Sequence, residues 1–396
     1  MKTHALPGGS QAKAGAFAGF TLQGGLFHDV AARVAGWIGF GGALSLTAGF
    51  SLFLWLVLAV LSAVEGDSAR FFSLGGLAIH ARLLVAIPMI LLCEKILDRA
   101  VRDAVGALLS SAIVADDSRI ALDSDADMLV RINSSWLLDL GLLVAVLVFG
   151  AATPHAYLPG VSSSAADSAV PTWSFAAQWY WLVCLPIFRF MMARFLWLLG
   201  LWTFLIWRIS RQPLNLAASH PDRAGGLGLL EVAQEQLTLF VLVLAVIDSA
   251  GLAETFQHVE PNELQVYAHV LLVIVIGVVA VCGPLMLLVP ALFRCRRAGM
   301  VEFAMLAHEY SVRFRRRWIG PLKPSYDDLL GVGDIQSLAD LRNAYDTVRS
   351  MRILPVTRTL FLLIFGCAVA PHLPLLLLKY PIAHVMLDFV QTITGN

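Results

Sequence analysis

Seven stretches of the chain are each long and apolar enough to cross a lipid bilayer as a helix. They are residues 35–63, 72–96, 135–153, 174–207, 227–251, 264–293 and 359–378. A helix needs about 20 mostly apolar residues to cross the hydrocarbon core, where its backbone groups must be hydrogen-bonded internally. Hydrophobic residues make up 58% of the chain and charged residues 14%, which excludes an ordinary soluble domain. The sequence therefore predicts an all-α, polytopic transmembrane helix bundle with about seven spans.

Basic residues are distributed unevenly among the connections between these spans. Most of the 28 Lys and Arg residues fall in four connections, which are 1–34, 95–132, 208–226 and 294–358. The connections on the opposite side contain only Arg70 and Lys379. Because connections rich in Lys and Arg stay in the cytoplasm, we expect the N-terminus in the cytoplasm and the C-terminus outside.

This arrangement divides the chain into four regions. Residues 1–34 are predicted to form an N-terminal cytoplasmic segment. Residues 35–293 form a transmembrane bundle of six spans, with a cytoplasmic helical loop at 97–132. Residues 294–358 form a cytoplasmic helical subdomain, and residues 359–396 contain the last span and an amphipathic tail on the outer surface.

The subdomain 294–358 is predicted to consist of two helices with a proline break between them. The second helix opens at Asp334, a residue type that commonly caps helix N-termini. Leu338, Leu341, Tyr345 and Val348 recur along it at helical spacing. We expect this apolar face to pack against another helix or another subunit.

Five charged residues are expected at one depth within the membrane, near its cytoplasmic side. They are Asp139, Arg189, Arg194, Glu231 and Glu235, from three different spans. Glu231 and Glu235 are four residues apart and share a helix face, so they need cations, protons or water nearby. The depth-matched cations are the two arginines. The layer is predicted to be either a polar vestibule for an ion path or a salt-bridge cluster that holds helices together.

The run His220–Gly228 brings an imidazole, a carboxylate, a guanidinium and three glycines to the foot of the fifth span. Three interpretations are open. The glycine N–H groups and Arg223 suit an anion or a lipid headgroup. His220 and Asp222 are weak candidates for a divalent metal site. Alternatively, Asp222 caps the helix and the glycines permit close packing, which is a purely architectural role. Asp222 and Arg223 would lie at the mouth of the vestibule.

Other parts of the chain indicate partners by their charge. Arg313, Arg315, Arg316, Arg317 and Trp318 form a cluster typical of a helix that contacts anionic lipid headgroups. A nucleic-acid partner is not expected at a membrane surface. Five cysteines without CxxC spacing indicate neither a disulfide framework nor a zinc site. No catalytic motif is present and no cofactor is expected.

Two stretches are similar to a known group of proteins. HPDRAGGLG at 220–228 and GDIQSLADL at 333–341, together with the span layout, resemble a group of multi-pass inner-membrane proteins of Gram-negative bacteria. The resemblance covers most of the chain after residue 130. It implies a location in the bacterial inner membrane, but it brings no activity, substrate or catalytic residue.

The residues therefore carry the functional prediction. The leading hypothesis is a channel or transporter for a small ion or solute, with the charged layer lining its cytoplasmic vestibule. The alternative is a non-enzymatic scaffold or regulatory subunit that acts through residues 294–358. A third hypothesis is a membrane enzyme acting on a lipid, which ranks last because no nucleophile–base pair is evident. The lipid bilayer is the expected partner, and homo-oligomerisation is left open.

Overall fold

The structure is a computed structural model that describes residues 21, 24, 43–111, 113–152, 174–256, 262–319 and 333–375. The predicted outer tail after residue 378 lies outside the described residues, as does the predicted N-terminal segment apart from Thr21 and Gly24. The described chain is almost entirely helical and contains no strand. Two residues, Val114 and Leu214, form an isolated antiparallel bridge. The all-α prediction is thus confirmed for this part of the protein.

The main helices follow one another as long apolar segments with short connections. They are α1 (Ala43–Val64), α2 (Leu74–Ser110), α3 (Asp116–Asn133), α4 (Trp136–Ala152), α5 (Phe175–Ser210), α6 (Gly228–Thr255), α7 (Glu263–Met286), α8 (Val289–Trp318), α9 (Asp334–Arg349) and α10 (Arg358–Leu375). A short helix, Ser68–Phe71, joins α1 to α2.

Five of the described helices are long and apolar enough to cross a membrane, namely α2, α5, α6, α7 and α10. The pair α3 and α4, which is bent by 53°, makes a sixth if it is counted as one span. In α1 the shorter apolar stretch Ala48–Val64 is described in full. Each of the seven predicted spans overlaps one of these helices, but the count of seven and the orientation stay predictions.

Helix α6 lies at the centre of the bundle. It contacts α2 on one side and α7 and α10 on the other, while α4 packs on α5. Phe240, Val241 and Val243 of α6 belong to the main buried core. The outward face of α7 is apolar, with Leu271, Val275 and Val279 more than half exposed. An apolar exterior over a packed interior is typical of helices that face lipid.

Two of the long helices widen locally into a π-helix. Ala81–Ala86 in α2 lies before Pro88, and Tyr180–Cys184 in α5 lies before Pro186. A proline removes one helical N–H and crowds the preceding turn, which favours an inserted residue there. Arg82 donates to the Tyr180 hydroxyl at 2.6 Å, so the two widened turns contact each other.

The predicted subdomain is a helical hairpin. Helix α8 is 30 residues long and packs against α9. The apolar face of α9 is confirmed, because Leu338, Leu341 and Tyr345 are partly covered and Val348 is fully buried. The predicted cap is wrong in detail, since Gly333 occupies the cap position. The Asp334 carboxylate instead accepts a hydrogen bond from Trp318 at 3.0 Å and pairs with Arg317.

Candidate functional site

The run His220–Gly228 folds around the carboxylate of Asp222. Its two oxygens accept hydrogen bonds from the backbone N–H groups of Ala224, Gly226 and Gly228 at 2.8 to 3.1 Å. Gly228 is the first residue of α6, so Asp222 satisfies one of the N–H groups that a helix start leaves unbonded. The His220 Nδ1 lies 2.8 Å from the same carboxylate. The architectural interpretation therefore accounts for most of the polar groups in the run.

Two of the glycines are required by the backbone of this turn. Gly225 has φ of +67° and Gly226 has φ of +98°, values that other residues adopt only with strain. A side chain on Gly226 would also meet Ile113 at 2.6 Å. Arg223 adopts a positive φ of 55° and is exposed. The hydrogen bonds to Asp222 hold the turn in this shape, and Arg223 lies on its surface.

Hydrogen bonding makes the charged form of Asp222 the stable one. Burial raises the pKa of its carboxyl, but donors from Ala224, Gly228, Gly226 and His220 outweigh burial and hold the pKa below its usual value of 3.8. A group whose pKa is lowered on folding stabilises the folded state above its unfolded pKa. That stabilisation is lost as the pH falls through the folded pKa.

Replacing Asp222 with alanine is expected to lower the free energy of unfolding by about 2 kcal/mol, because several backbone N–H groups lose their acceptor. Unfolding of the detergent-purified protein at pH 7 measures the loss. The gap to the unchanged protein should narrow as the pH falls below the ordinary pKa of an aspartate, about 3.8, and through the lowered pKa of folded Asp222. Asp222→Asn keeps an acceptor oxygen and should lose less. Equal stability of Asp222→Ala and the unchanged protein at pH 7 would contradict the role given to this carboxylate.

Arg352 locks this turn to the start of the last membrane helix. Its guanidinium pairs with Glu231 at 3.0 Å and donates to the backbone oxygen of Asp222 at 3.2 Å. Its backbone N–H donates to the Arg223 carbonyl at 2.7 Å. Arg352 is not among the site residues predicted from the sequence, because it lies between α9 and α10 and far along the chain from its partners. The basic residue just before an apolar span was the one available signal.

A cavity of about 470 Å³ opens beside the turn, between the end of α2 and the first turns of α6. Its polar lining consists of His220, Asp222, Glu231, Glu235, Arg352, Ser111 and Thr357. The remaining wall is apolar and includes Leu108, Leu229 and Val232. The cavity is half open, so its charged groups face a space that a small solute can enter.

Glu235 is the carboxylate of this cavity whose charge is not matched. Glu231 is 5% exposed at its side chain and is paired with Arg352. Within the described part of the chain, no cation is paired with the Glu235 carboxylate, and the charged side chain that influences it is Glu231. Directly after Glu235, residues Gln236 and Leu237 form a tighter turn that keeps right-handed helical backbone angles, and regular α-helix resumes at Thr238. Glu235 lines the inner edge of the cavity beside this turn.

The predicted layer of five charges is divided between separate places. Arg194 pairs with Asp139, and both side chains are about 5% exposed, which is nearly complete burial. Arg194 also donates to the Gly24 carbonyl. Glu94 of α2 is a near neighbour of this pair. The expected pairing of Glu231 and Glu235 with the two arginines of the fourth span is therefore wrong, because Arg194 pairs with Asp139 and Glu231 pairs with Arg352.

Arg189 lies away from both groups. Its guanidinium lies over the Phe149 ring at 5.5 Å and the Trp181 ring at 6.0 Å. Phe149 is about 15 Å further along α4 than Asp139 at 1.5 Å per residue. Arg189 is thus stabilised by aromatic rings instead of by a carboxylate of the predicted layer. Arg189 and Arg194 are five residues apart on α5, about 7.5 Å along the helix axis, so the two arginines do not share one depth.

These contacts argue against two interpretations of the run His220–Gly228, the anion site and the metal site. The glycine N–H groups that the anion interpretation assigned to a ligand include those of Gly226 and Gly228, which bind Asp222. In the described ranges, no group of three His, Cys, Asp or Glu side chains is arranged to hold a metal ion. His220 and Asp222, the weak metal candidates, contact each other.

The basic cluster predicted to contact lipid headgroups lies at the far end of α8. Arg313 pairs with Glu309, and Arg317 stacks on the Trp318 ring and pairs with Asp334. Arg315 and Arg316 are exposed. Contact with lipid at this position stays a prediction.

Comparisons with known proteins found no match for this chain. No family model, no curated protein and no solved structure matches the chain.

Proposed function

We infer that this chain is a transport-type membrane protein, a channel or transporter that admits a small ion or solute from the cytoplasmic side of the bacterial inner membrane. The cavity beside His220–Gly228 is the observation that carries this function. It is open to a small molecule, and its charged lining reaches Glu235, two turns into α6. Polar groups inside a membrane bundle are expensive to keep, so an open, charged cavity there favours a functional role.

The balance of charge in the cavity favours a cationic solute. Arg352 offsets the charge of Glu231, and backbone N–H groups surround the charge of Asp222. Glu235 remains as a negative charge at the inner edge. A cation or a solute with an amine group gains an ion pair there, whereas an anion meets repulsion.

The turn after Glu235 shows which group of α6 is available to a solute. Its backbone groups are bonded within the helix, because the Leu237 N–H donates to the Gln234 carbonyl and the Thr238 hydroxyl donates to the Glu235 carbonyl at 2.7 Å. The Glu235 side chain is therefore the group that α6 offers to a cation in this cavity.

Neutralising Glu235 is expected to reduce cation flux about tenfold, which corresponds to the loss of about 1.4 kcal/mol of ion binding. Electrical recording from proteoliposomes, with potassium, sodium and protons as the probe ions, measures the flux for Glu235→Gln. Glu309→Gln is the matched control, because it removes a carboxylate from the exposed surface of α8. Flux that is unchanged in well-folded Glu235→Gln would contradict the lining role.

One observation favours the alternative function, a scaffold that acts through 294–358. Near its middle, helix α8 exposes three neighbouring large apolar side chains, Val301 at 56%, Met305 at 69% and Leu306 at 53%. Apolar groups that are exposed together on a polar helix commonly mark a protein contact. If the protein acts as a scaffold, we expect Met305→Glu to abolish the capture of a partner or of a second copy in a pull-down and to leave ion flux unchanged. Loss of flux in that variant would instead tie the hairpin to transport.

A further inference from the structure

Three titratable side chains meet at the opposite end of the bundle from the cavity. Asp248 lies on α6, His269 on α7 and His372 on α10. The Nδ1 atom of His269 lies 2.9 Å from Asp248, and the Nε2 atom of His372 lies 3.0 Å from the same carboxylate. The Ser249 hydroxyl donates to the Pro371 carbonyl beside them. One carboxylate thus joins three membrane helices.

The local sequence of α10 determines which nitrogen of His372 carries a proton. Pro371 has no N–H, and the helix tightens to a 3-10 turn at Ala370–His372. The carbonyl of Ala368 accepts instead from the His372 ring, at 2.8 Å from Nδ1. A carbonyl oxygen only accepts hydrogen bonds, so Nδ1 bears a hydrogen.

The second nitrogen of His372 then requires a proton of its own. With Nδ1 protonated, a neutral imidazole presents a lone pair at Nε2, and this would face the lone pairs of Asp248 at 3.0 Å. A proton between the two atoms converts that repulsion into a charge-assisted hydrogen bond. Asp248 accepts from His269 as well, which favours its ionised form. The contact is therefore one between an imidazolium and a carboxylate.

Other charged groups near this end are held by different partners. On α2, His80 contacts Trp55 and the Phe71 carbonyl, and Arg82 donates to Tyr180. Glu254, on the same helix as Asp248, is the exception: it is buried and influenced electrostatically by Arg82, and its Oε1 atom has no hydrogen-bond partner among the described residues. Residues 257–261 and 376–396 lie outside the described part. Among the described groups, the positive charge on His372 and the hydrogen bond from His269 are what balance Asp248.

We propose that Asp248, His269 and His372 form a proton-binding site, in which a proton held between His372 and Asp248 fastens α10 to α6 and α7. His372 is fully buried, whereas the side chains of Asp248 and His269 are 24% and 35% exposed. Asp248 and His269 are thus the route by which a proton reaches His372. Removing the proton leaves two lone pairs in contact and loosens α10. This site stands independently of whether the protein moves a solute.

Nitrogen NMR of the full chain in nanodiscs, with ¹⁵N-labelled histidine, tests the proposal at pH 8. Free histidine is almost entirely neutral at that pH, since its pKa is about 6.5. The signal of His372 is identified by its loss in His372→Gln, or by coupling to labelled Pro371 if that variant does not fold. We expect both ring nitrogens of His372 to be protonated. An unprotonated Nε2 in the unchanged protein would overturn the proposal.

Asp248→Asn provides the matched change, because an amide replaces the carboxylate at nearly constant size. We expect His372 to become neutral in this variant, with its proton on Nδ1, and hydrogen exchange of 358–375 to accelerate. A doubly protonated His372 in folded Asp248→Asn would show that another group holds the proton and would also overturn the proposal. Should Asp248→Asn fail to fold, the spectrum of the unchanged protein decides alone.

Discussion

Replacement of Asp139 with leucine is expected to lower the free energy of unfolding by about 3–5 kcal/mol, the usual cost of breaking a buried ion pair. Asp139 and Arg194 have side chains that are 6% and 5% exposed, so the remaining guanidinium would keep its charge without its carboxylate inside the bundle. Water cannot replace the lost partner at this burial. Denaturant unfolding in mixed micelles, followed by helical circular dichroism, measures the change.

The matched control for this change is Asp139→Asn. Its amide oxygen still accepts a hydrogen bond from Arg194 but carries no charge, so its loss should be about half as large. Arg208 and Asp125 offer a comparison elsewhere, because they form a similar pair with the Arg208 side chain 33% exposed. Asp125→Leu should therefore be milder than Asp139→Leu. Wild-type stability of Asp139→Leu would show that the pair does not hold α4 to α5.

Replacement of Arg352 with methionine is expected to destabilise the protein by about 3 kcal/mol. This loss is at the low end of the range for breaking a buried ion pair, because the Arg352 side chain is 28% exposed, whereas the Glu231 side chain is 5% exposed. Methionine keeps much of the aliphatic part of the arginine side chain. The loss of stability therefore measures the ion pair and the hydrogen bond to the Asp222 carbonyl. Thermal unfolding in detergent measures it, with Arg349→Met as a control on the exposed end of α9.

A double substitution separates the contribution of the ion pair from that of the hydrogen bond between Arg352 and the turn at 220–228. Glu231→Gln combined with Arg352→Met removes both charges, so it should recover about half of the stability that Arg352→Met loses. If the double variant is no more stable than Arg352→Met, the buried charge of Glu231 is not the cause of the loss. The bond from Arg352 to the backbone of the turn would then carry the effect.

The helices could be predicted from the sequence because their cause is local. Each predicted span overlaps an observed helix, since about 20 apolar residues in succession leave a chain in lipid no alternative to a helix. The apolar face of α9 follows from spacing along a single helix and is observed against α8. The π-helical turns before Pro88 and Pro186 also have a local cause, although proline alone does not specify a π-helix.

The charged contacts could be predicted only in part, because they join residues that are distant in the chain. An estimate of depth along straight helices correctly predicts that Asp139 lies near Arg194, and these two residues form an ion pair. The same estimate misplaced Arg189, because five residues of helix separate it from Arg194 by about 7.5 Å along the axis. Arg352 was missed since its role depends on how α10 enters the bundle beside Glu231. A basic residue ahead of an apolar span is not sufficient to indicate that entry.

The most direct test of the account is whether water reaches Glu235 from the cytoplasmic side. A membrane-impermeant thiol reagent, applied to sealed inside-out vesicles, should modify Glu235→Cys well above the background of the native cysteines. Gln234→Cys should stay unmodified, because residue 234 is fully buried one position away. Modification of Glu235→Cys from this side and not from right-side-out vesicles is the predicted result. Protection of Glu235→Cys from both sides, or modification only from the outer side, would contradict a cytoplasmic vestibule at this cavity.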